Sequence, residues 1–350
     1  MVAWIGDELK ARALWFTAPR TAALRDETVP SPGPGEVRVG AMASAVSAGT
    51  ELLVYRGEVS NELPLDLPTL RGSYAFPIKY GYASVGIILD VGTGIEHLCA
   101  GDSVFAHHPH QDVFVVPATV PVRLPHDLDP LLGVFFANLE TALNVVHDTP
   151  LRFGETAIVS GAGIVGLLVA RLLKLAGAGT VLVVDPLESR RKLALAAGAD
   201  GAVASESLNR RIIELTGGRG ADVAVEASGS GAGLQAAIGA MATEGTVVVA
   251  SWYGTKPVAL DLGGHFHRGR VSLRSSQVGR LNPALAPRWD RTRRTETVLG
   301  LLGRLDLESL ISHRLPFDRA AEAYPLLDER PEEVVQVVFT YERSDGGQNV

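Results

Sequence analysis

The chain has 350 residues, enough for about two domains of ordinary size, which excludes a lone small module. Its 32 Lys and Arg residues against 39 Asp and Glu give a formal net charge of −7. No block of like charges interrupts this balance, so neither nucleic acid nor an anionic membrane is expected as the main partner. The single cysteine, Cys99, permits no intrachain disulfide and no multi-cysteine zinc site, and it favours a reducing compartment.

The amino-terminal segment, residues 1–18, carries four charged residues near its start and does not have the pattern of a signal peptide. The longest nearly uncharged run, residues 156–170, is shorter than the roughly 18 residues that a membrane span needs. We therefore expect a soluble cytoplasmic protein. The polar residues 343–350 are expected to be disordered.

The first third of the chain predicts β-structure. Short apolar alternations separated by Gly and Pro indicate strands at residues 36–43, 83–91, 102–106 and 111–116. From Thr156 onward, short uncharged strands such as TAIVS alternate with helices such as GIVGLLVARLLKLAGA, which predicts a parallel sheet covered by helices on both faces. Beyond this region the pattern predicts helices over 290–304 and 320–327 and a last strand over 333–341.

A glycine motif, GAGIVG, directly follows the strand TAIVS and opens a helix. In this context Gly161 allows a tight turn, Gly163 lets the backbone approach a pyrophosphate, and Gly166 lets helix and strand pack closely. Asp185 ends the second strand about 20 residues later, where an acidic side chain can bind ribose hydroxyls. The segment therefore predicts a dinucleotide site, whose loop also contains Ala162, Ile164 and Val165.

The choice between NAD and NADP depends on the residues around Asp185. Its carboxylate would repel a 2′-phosphate and accept hydrogen bonds from two hydroxyls, which favours NAD. Arg190 and Arg191 follow in the next turn and could neutralise such a phosphate, or they could form a solvated helix face. NAD is expected, and NADP stays possible.

Several segments resemble the medium-chain dehydrogenase/reductase superfamily, the family of zinc alcohol dehydrogenases. They are AGTELLVYRG (48–57), PIKYGYASVGIILDVG (77–92), AGDSVFA (100–106), the GAGIVG motif, ADVAVEASG (221–229) and ISHRLPFDRAAEAY (311–324). The resemblance implies an α/β protein with a GroES-like, β-rich catalytic domain and a Rossmann domain, a doubly wound parallel sheet that binds the dinucleotide. We expect the catalytic domain at residues 1–138 and 278–350 and the nucleotide domain at residues 139–277.

The resemblance also implies where zinc would bind in this family. Those places are held by Ala48, by Tyr82 and Ala83 after Gly81, and by Ala137, and none of these side chains ligates zinc. The four-cysteine structural zinc lobe of the family is missing as well. The family's relay histidine is replaced by Leu53. The chain thus resembles a zinc-lacking branch, and no metal is expected.

A metal-free site needs another acid where charge develops on the substrate. Tyr82 occupies that place, and Lys79 would lower the pKa of its phenol if a turn around Gly81 brought the two side chains together. The alternative is a buried structural tyrosine and a solvated lysine. Thr50 and Glu51 are the next candidates, with Glu51 binding substrate, Lys79 or Arg56, or forming a structural ion pair.

Histidines cluster at positions 107, 108 and 110. His108 and His110 could share a strand face, and we take His108 as a candidate substrate-pocket residue; loop packing and a replacement metal site are the alternatives. His265 and His267 are expected at a surface or subunit edge, because Arg268 and Arg270 are their neighbours.

The resemblance places further residues near the cofactor. Ser276 and Gln277, in the segment SSQVG, are expected near the nicotinamide, and Ser228 and Trp252 are expected to line the cleft beyond the strand ends. Trp289, Asp290 and Arg293 are expected either in the substrate cleft or in a dimer contact.

Together these features predict a zinc-independent NAD(P)-dependent oxidoreductase that interconverts the alcohol and carbonyl of a small or medium polar substrate. One rival is a reductase of carbon–carbon double bonds, as in zinc-lacking enoyl and quinone reductases of the superfamily. Another is a nucleotide-binding protein that has lost catalysis. The resemblance implies a homo-oligomer, with a dimer favoured.

Overall fold

The computed structural model describes residues 8–65 and 67–342. The strands are β1 Glu8–Ala18, β2 Thr21–Pro30, β3 Glu36–Ala45, β4 Ile78–Lys79, β5 Ser84–Val91, β6 Ser103–Ala106, β7 Val113–Pro117, β8 Val122–Arg123, β9 Thr156–Ser160, β10 Thr180–Val184, β11 Gly201–Val203, β12 Ala221–Glu226, β13 Met241–Val249, β14 Ser272–Ser275, β15 Ile311–Pro316 and β16 Gln336–Thr340. The helices are α1 Ala48–Arg56, α2 Pro130–Gly133, α3 Phe136–Asp148, α4 Ile164–Leu175, α5 Glu188–Ala196, α6 Leu208–Thr216, α7 Gly231–Gly239, α8 His265–Arg268, α9 Arg291–Leu302 and α10 Ala323–Glu329.

The first compact unit combines the chain up to Ala137 with the chain from Leu301 onward. Its larger sheet has the order β15-β16-β3-β5-β6-β8, with β7 paired to β3, and a smaller sheet has the order β2-β1-β4. Alternate residues of these strands point into an apolar core, as period-two patterning requires. That core contains Val37, Val39, Ile88, Val104 and Phe114.

The amino-terminal hairpin of this unit was not among the predicted strands. β1 and β2 pair in antiparallel register from Glu8↔Pro30 to Ala18↔Thr21. Charged residues occur along both strands, and the burial of β2 is incomplete, so the alternation is weak. β1 also pairs with β4, through Trp15↔Lys79, so the hairpin is part of a three-stranded sheet.

The second compact unit spans Asn138–Gly300. Its six strands are all parallel, in the order β11-β10-β9-β12-β13-β14, so the chain direction along the sheet reverses between β9 and β12. Ligands of such sheets bind at the carboxyl ends of the strands beside that reversal. The predicted fold class is confirmed by this doubly wound sheet and by the β-rich first unit.

Most predicted elements occur within a few residues of their expected bounds. Helices α1 and α3, like the hairpin, carried no prediction, and two further regions differ. The helix predicted over 320–327 is a 3-10 segment at Phe317–Glu322 that continues as α10. The region 201–216, which carried no prediction, forms β11 and α6. The domain bounds given above stay a prediction.

No helix among the described residues is both long and apolar enough to span a bilayer. Residues 1–7 and 343–350 lie outside the described part of the chain, and so does the prediction of a disordered tail.

Candidate active site and cofactor site

The candidate active site begins at the first turn of α1. Ser47 is the residue before the helix, and Glu51 lies in its first turn, where a negative charge is favourable. The amide of Ser47 donates to Oε1 of Glu51 at 2.7 Å. This local bond directs the carboxylate back into the unit, where the side chain is fully buried.

Glu51 is held by donors from two distant segments. The Tyr324 hydroxyl of α10 donates to Oε2 at 2.7 Å, and Nε2 of His110 lies 3.1 Å from the same oxygen. Burial and the charge of Glu51 raise the pKa of Tyr324 well above its ordinary value, so its hydroxyl keeps its proton. Such a set of donors offsets the cost of burying a carboxylate.

His110 connects Glu51 to a second pair of hydroxyls. Its Nδ1 lies 2.7 Å from Oγ of Ser44, which lies 2.8 Å from the Tyr341 hydroxyl. The imidazole packs against Gly81, whose φ is +133°, and a Cβ at that position would approach the ring to 2.9 Å. Glycine is therefore required at position 81 both for the backbone conformation and for the close approach.

Tyr82 donates a hydrogen bond to Oγ of Ser47 at 2.5 Å. Burial raises the pKa of Tyr82 to about 12, against the lowering effect of hydrogen bonds to Ser47 and Thr50, while the charge of Glu51 raises it further. The phenol is thus protonated at neutral pH and has a proton to donate. The structure brings Tyr82, Thr50 and Glu51 together as one cluster with Ser47.

Lys79 lies elsewhere, and the expected pairing with Tyr82 is not formed. Its Nζ bonds to Glu27 at 2.9 Å and to Oε1 of Gln111 at 2.7 Å. β4 pairs with β1 at Trp15, and this pairing directs Lys79 toward β2. The pKa of Tyr82 is raised, whereas a neighbouring ammonium group would have lowered it. Arg56, another expected partner of Glu51, bonds to Asp328 instead.

His108 also points away from the Glu51 cluster. Its ring stacks on Phe114 with centroids 3.8 Å apart, and its Nδ1 lies 2.9 Å from the carbonyl of Pro109. Burial lowers the pKa of His108 to about 3, so the imidazole is neutral. The two histidines lie beyond β6 and do not share a strand face: His110 contacts Glu51, whereas His108 packs in the core.

The glycine loop of the second unit leads from β9 into α4. Gly161 has a φ of +100°, and a Cβ there would lie 2.8 Å from the backbone of Ala227 and Ser228. A Cβ on Gly166 would lie 1.9 Å from the carbonyl oxygen of Gly161. A Cβ on Gly163 would meet only Nη1 of Arg190, at 3.5 Å. The first and third glycines are thus required by packing, whereas the second leaves room at the start of α4.

Asp185 follows β10 beside this loop. Its Oδ2 accepts from the amide of Ala162 at 2.8 Å, and its Oδ1 accepts from the amide of Leu187 at 2.9 Å. Arg191 donates to two backbone carbonyls, those of Asp185 and Pro186. Each carboxylate oxygen can accept a further hydrogen bond, so the loop holds Asp185 in place without using all of its acceptor capacity.

A turn after β12 supports the loop from behind. The fully buried Glu226 accepts on Oε1 from the amide and hydroxyl of Ser228 and from the amide of Gly229, at 2.6–2.9 Å. From the sequence, Ser228 is expected to line the cleft, and Glu226 carries no prediction. Ser228 therefore contributes to the turn that packs on Gly161.

The segment after β14 is tied to α3. Ser276 donates to Asp148 at 2.7 Å, and Asn144 donates to the carbonyl of Gln277 at 3.3 Å. The buried Arg294 binds Asn144 and Glu140. Asp148, Asn144, Arg294 and Glu140 belong to no recognisable sequence motif, and none of them is among the predicted site residues.

Trp289, Arg293 and His265, which the sequence places at a cleft or an edge, make contacts within the second unit. Trp289 packs on the His147 ring at 4.2 Å, and the Arg293 guanidinium lies 4.3 Å over the indole. Nε2 of His265 lies 2.8 Å from the carbonyl oxygen of Met241.

Comparison with known proteins gives the family. A family model described as zinc-binding dehydrogenase matches residues 165–291. The chain is 30% identical over 355 residues to the D-guloside 3-dehydrogenase of Escherichia coli (strain K12), covering 94% of this chain and 100% of that protein. The chain belongs to the medium-chain dehydrogenase/reductase superfamily. It is accordingly an NAD(P)-dependent dehydrogenase.

Solved structures of other dehydrogenases have the same fold as this chain. The 2R,3R-butanediol dehydrogenase of Bacillus subtilis superposes with a TM-score of 0.78 at 21% identity, covering 94% of this chain and 99% of that one. A zinc-binding dehydrogenase of Sinorhizobium meliloti 1021, described as putative and bound to NADP, has a TM-score of 0.76 at 21% identity, covering 95% and 99%.

The residues of this dehydrogenase fit a dinucleotide but do not fit the family's zinc. The space beside Gly163, the start of α4 and the carboxylate of Asp185 form a cradle for a pyrophosphate and ribose. At the zinc places, Ala48, Ala83 and Ala137 offer no ligand atom, and the Tyr82 phenol keeps its proton. Within residues 8–65 and 67–342, no group of three or more His, Cys, Asp or Glu side chains could hold a metal ion.

Proposed function

We propose that this dehydrogenase works without zinc, uses NAD, and interconverts the alcohol and carbonyl of a small or medium polar substrate, with Tyr82 as the acid. The observation that carries the proposal is the Tyr82 hydroxyl, which bonds to Ser47 beside the buried Glu51. The resemblance to the family implies that this tyrosine replaces a zinc ligand. The names of the guloside and butanediol dehydrogenases describe hydroxylated substrates, which supports a hydroxylated substrate for this chain.

The geometry suits proton donation to a carbonyl oxygen. When bound, the reduced nicotinamide supplies a hydride to the carbonyl carbon. Negative charge then develops on the carbonyl oxygen, and Tyr82 donates its proton there. Ser47 accepts a hydrogen bond from the phenol before this step and, by rotating its hydroxyl, can donate one to the phenolate after it. Alcohol oxidation uses the same steps in reverse.

The cofactor is held by the second unit in this proposal. Gly161, Gly163 and Gly166 form the loop with Ala162, Ile164 and Val165; Asp185 binds the ribose; Arg190 flanks the loop; and Ser228, Ser276 and Gln277 border the cofactor. Residues 139–277 form the nucleotide domain, and residues 1–138 and 278–350 form the catalytic domain. In this proposal the protein is a cytoplasmic homodimer. Light scattering after size-exclusion chromatography tests the oligomeric state.

Substitution Tyr82→Phe tests the acid. We expect kcat to fall by about 100-fold, because general acid catalysis contributes at least that much, while the melting temperature changes little. The matched control is Tyr55→Phe, which removes a hydroxyl bonded to the carbonyl of Arg20 in the same unit. Methyl glycosides, polyols and butanediol with NAD⁺, and cyclohexenone with NADH, are the substrates to assay. Unchanged kcat in Tyr82→Phe would reject the assignment, and turnover of cyclohexenone alone would favour double-bond reduction.

Metal analysis tests the zinc-free proposal separately. We expect substoichiometric zinc in the purified protein and unchanged turnover after dialysis against a chelator. Stoichiometric zinc together with activity that is lost on chelation and restored by Zn²⁺ would reject it. Binding of NADH with no turnover of any substrate in the panel would instead favour a nucleotide-binding protein.

A further inference from the structure

A continuous chain of hydrogen-bonding side chains leads from Glu51 to the surface of the first unit. It runs from Oε2 of Glu51 to Nε2 of His110 (3.1 Å), from Nδ1 of His110 to Ser44 (2.7 Å), and from Ser44 to Tyr341 (2.8 Å). Glu51, His110 and Ser44 are fully buried. Tyr341 lines a surface pocket together with Arg12, Asp112 and Asp318. The chain thus joins a buried carboxylate to a tyrosine that borders a polar surface pocket, and burial raises the pKa of the Tyr341 hydroxyl.

The chain has one member, the imidazole of His110, that can hold a proton on each of two ring nitrogens, and imidazoles as a class change charge near neutral pH. In one arrangement Tyr341 donates to Ser44, Ser44 donates to Nδ1 of His110, and Nε2–H donates to Glu51. Passing one proton inward along the hydroxyls makes His110 an imidazolium between Ser44 and the Glu51 carboxylate. Imidazole is the side chain that ordinarily changes charge in this pH range.

A proton on His110 would balance the negative charge that forms when Tyr82 loses its proton. When Tyr82 donates its proton, a phenolate forms beside the buried Glu51 carboxylate, and two neighbouring anions in a buried site are unfavourable. The Glu51 carboxylate already raises the pKa of Tyr82. A positive charge on His110, in contact with Glu51, would offset this repulsion.

We propose that His110 is a positioning residue that takes up a proton through Tyr341 and Ser44 when Tyr82 gives up its own. The proposal rests on Tyr82 acting as the acid of the proposed function. The proton that leaves Tyr82 goes to the substrate oxygen. Tyr341 passes its proton to Ser44 and regains one from water in the surface pocket, while Ser44 passes its proton to Nδ1 of His110. When Tyr82 is reprotonated, these transfers reverse. Each transfer breaks one bond to hydrogen and forms another, and no group is oxidised or reduced.

The surroundings of these groups define what else could affect their titration. Glu51 of α1 is the carboxylate in contact with His110, and Tyr324 of α10 donates to that carboxylate. The Phe339 ring of β16 packs edge-on against His110 at 4.9 Å. Tyr74 and Tyr80 lie near Tyr82, and the neutral His108 lies near His110. Asp112 lies near Tyr341, and Lys79, which is paired with Glu27, lies near His108.

A spectroscopic titration tests the coupling without substrate or cofactor. Difluorotyrosine is placed at position 82 of the full chain, because its phenol ionises near neutral pH and its absorbance reports the phenolate. We expect His110→Asn to raise the apparent pKa of this phenol by about one unit, a tenfold weaker ionisation. Ser44→Ala and Tyr341→Phe should shift it in the same direction by less.

The matched control is Ser84→Ala. Ser84 pairs with Ser44 in the register of β3 and β5 and is equally buried, yet its hydroxyl has no hydrogen-bond partner, so its removal should leave the titration unchanged. Identical titrations in the parent, His110→Asn and Ser44→Ala proteins would overturn the proposal. If His110→Asn does not fold, Ser44→Ala and Tyr341→Phe decide the result.

Failure of the proposed function gives a different result. A shifted titration in a protein that reduces no carbonyl substrate supports the coupling and rejects Tyr82 as a catalytic acid. An unshifted titration in an active enzyme rejects the coupling and leaves the acid in place.

Discussion

Burial decides the charge state of individual side chains in the candidate site. His108 and His110 are two positions apart and both buried, but their partners differ. His110 lies against a carboxylate, whereas His108 packs on an aromatic ring and contacts only the carbonyl of Pro109 through Nδ1. A neutral imidazole suits the second environment, and an imidazole that gains a proton suits the first.

The neutral state of His108 gives a prediction for stability. Burial lowers its pKa to about 3 from the 6.5 of an unperturbed histidine. Below about pH 6.5 the unfolded chain therefore binds a proton that the folded chain does not, and folding is disfavoured increasingly until the folded-state pKa is reached. Between about pH 7 and pH 5 this costs roughly 2 kcal/mol.

Substitution His108→Phe should remove this dependence, because phenylalanine can keep the stacking on Phe114 and does not titrate. We expect the free energy of unfolding of His108→Phe, relative to the parent, to rise by about 2 kcal/mol between about pH 7 and pH 5. Urea denaturation at the two pH values measures it. A constant difference would show that the pKa of His108 is the same in the folded and unfolded chains.

Some residues of the candidate site could be predicted from sequence, and others could not. Tyr82, Thr50 and Glu51 lie in segments that resemble family motifs, so their positions could be named without a structure. Tyr324 ends the family-like segment 311–324 and His110 belongs to the histidine cluster, whereas Ser44 and Tyr341 carried no prediction as site residues. The four residues come from separate segments. Their contacts depend on strand pairing and on the packing of α10, which short-range sequence patterns do not record.

The same distinction applies to whole elements. The strand β9 and helix α4 were predictable because an uncharged strand, glycines and an apolar helix follow one another directly. The hairpin β1–β2 carries mixed charge and β2 is only partly buried, so its own pattern is a weak signal in the sequence.

The junction between β9 and α4 also gives a prediction about cofactor binding. Substitution Gly163→Ala places a methyl group at the start of α4, in ordinary contact with Nη1 of Arg190 at 3.5 Å, and the φ of −72° is one that alanine adopts readily. The fold should therefore be retained. The methyl group would occupy the space into which a pyrophosphate must come, so we expect the Kd for NADH to rise at least about tenfold.

Fluorescence titration with NADH and a thermal melt of each protein measure the two effects of Gly163→Ala. Gly166→Ala is the contrasting variant, because its Cβ would lie 1.9 Å from the carbonyl oxygen of Gly161 and should disturb the fold itself. An unchanged Kd in a folded Gly163→Ala protein would show that the cofactor does not approach this glycine.

For the molecule as a whole, chemistry and cofactor binding are assigned to two compact units with different physical character. The first contains antiparallel strands and the buried hydrogen bond between Ser44 and His110, whereas the second has a parallel sheet whose strand β9 leads into the glycine loop before α4. A dinucleotide that binds only the folded state stabilises the protein by mass action, by about 2.7 kcal/mol at a hundred times its Kd. Thermal unfolding of the intact protein thus reports cofactor binding without any knowledge of the substrate.

This readout separates NAD from NADP. The carboxylate of Asp185 is fixed by the amides of Ala162 and Leu187, and Arg191 is bonded to backbone carbonyls, so a 2′-phosphate would meet an anion that cannot easily move away. At equal concentrations NADH should raise the melting temperature more than NADPH, and Gly163→Ala should reduce both shifts. A larger shift with NADPH would mean that Arg190 binds the phosphate and outweighs the repulsion from Asp185.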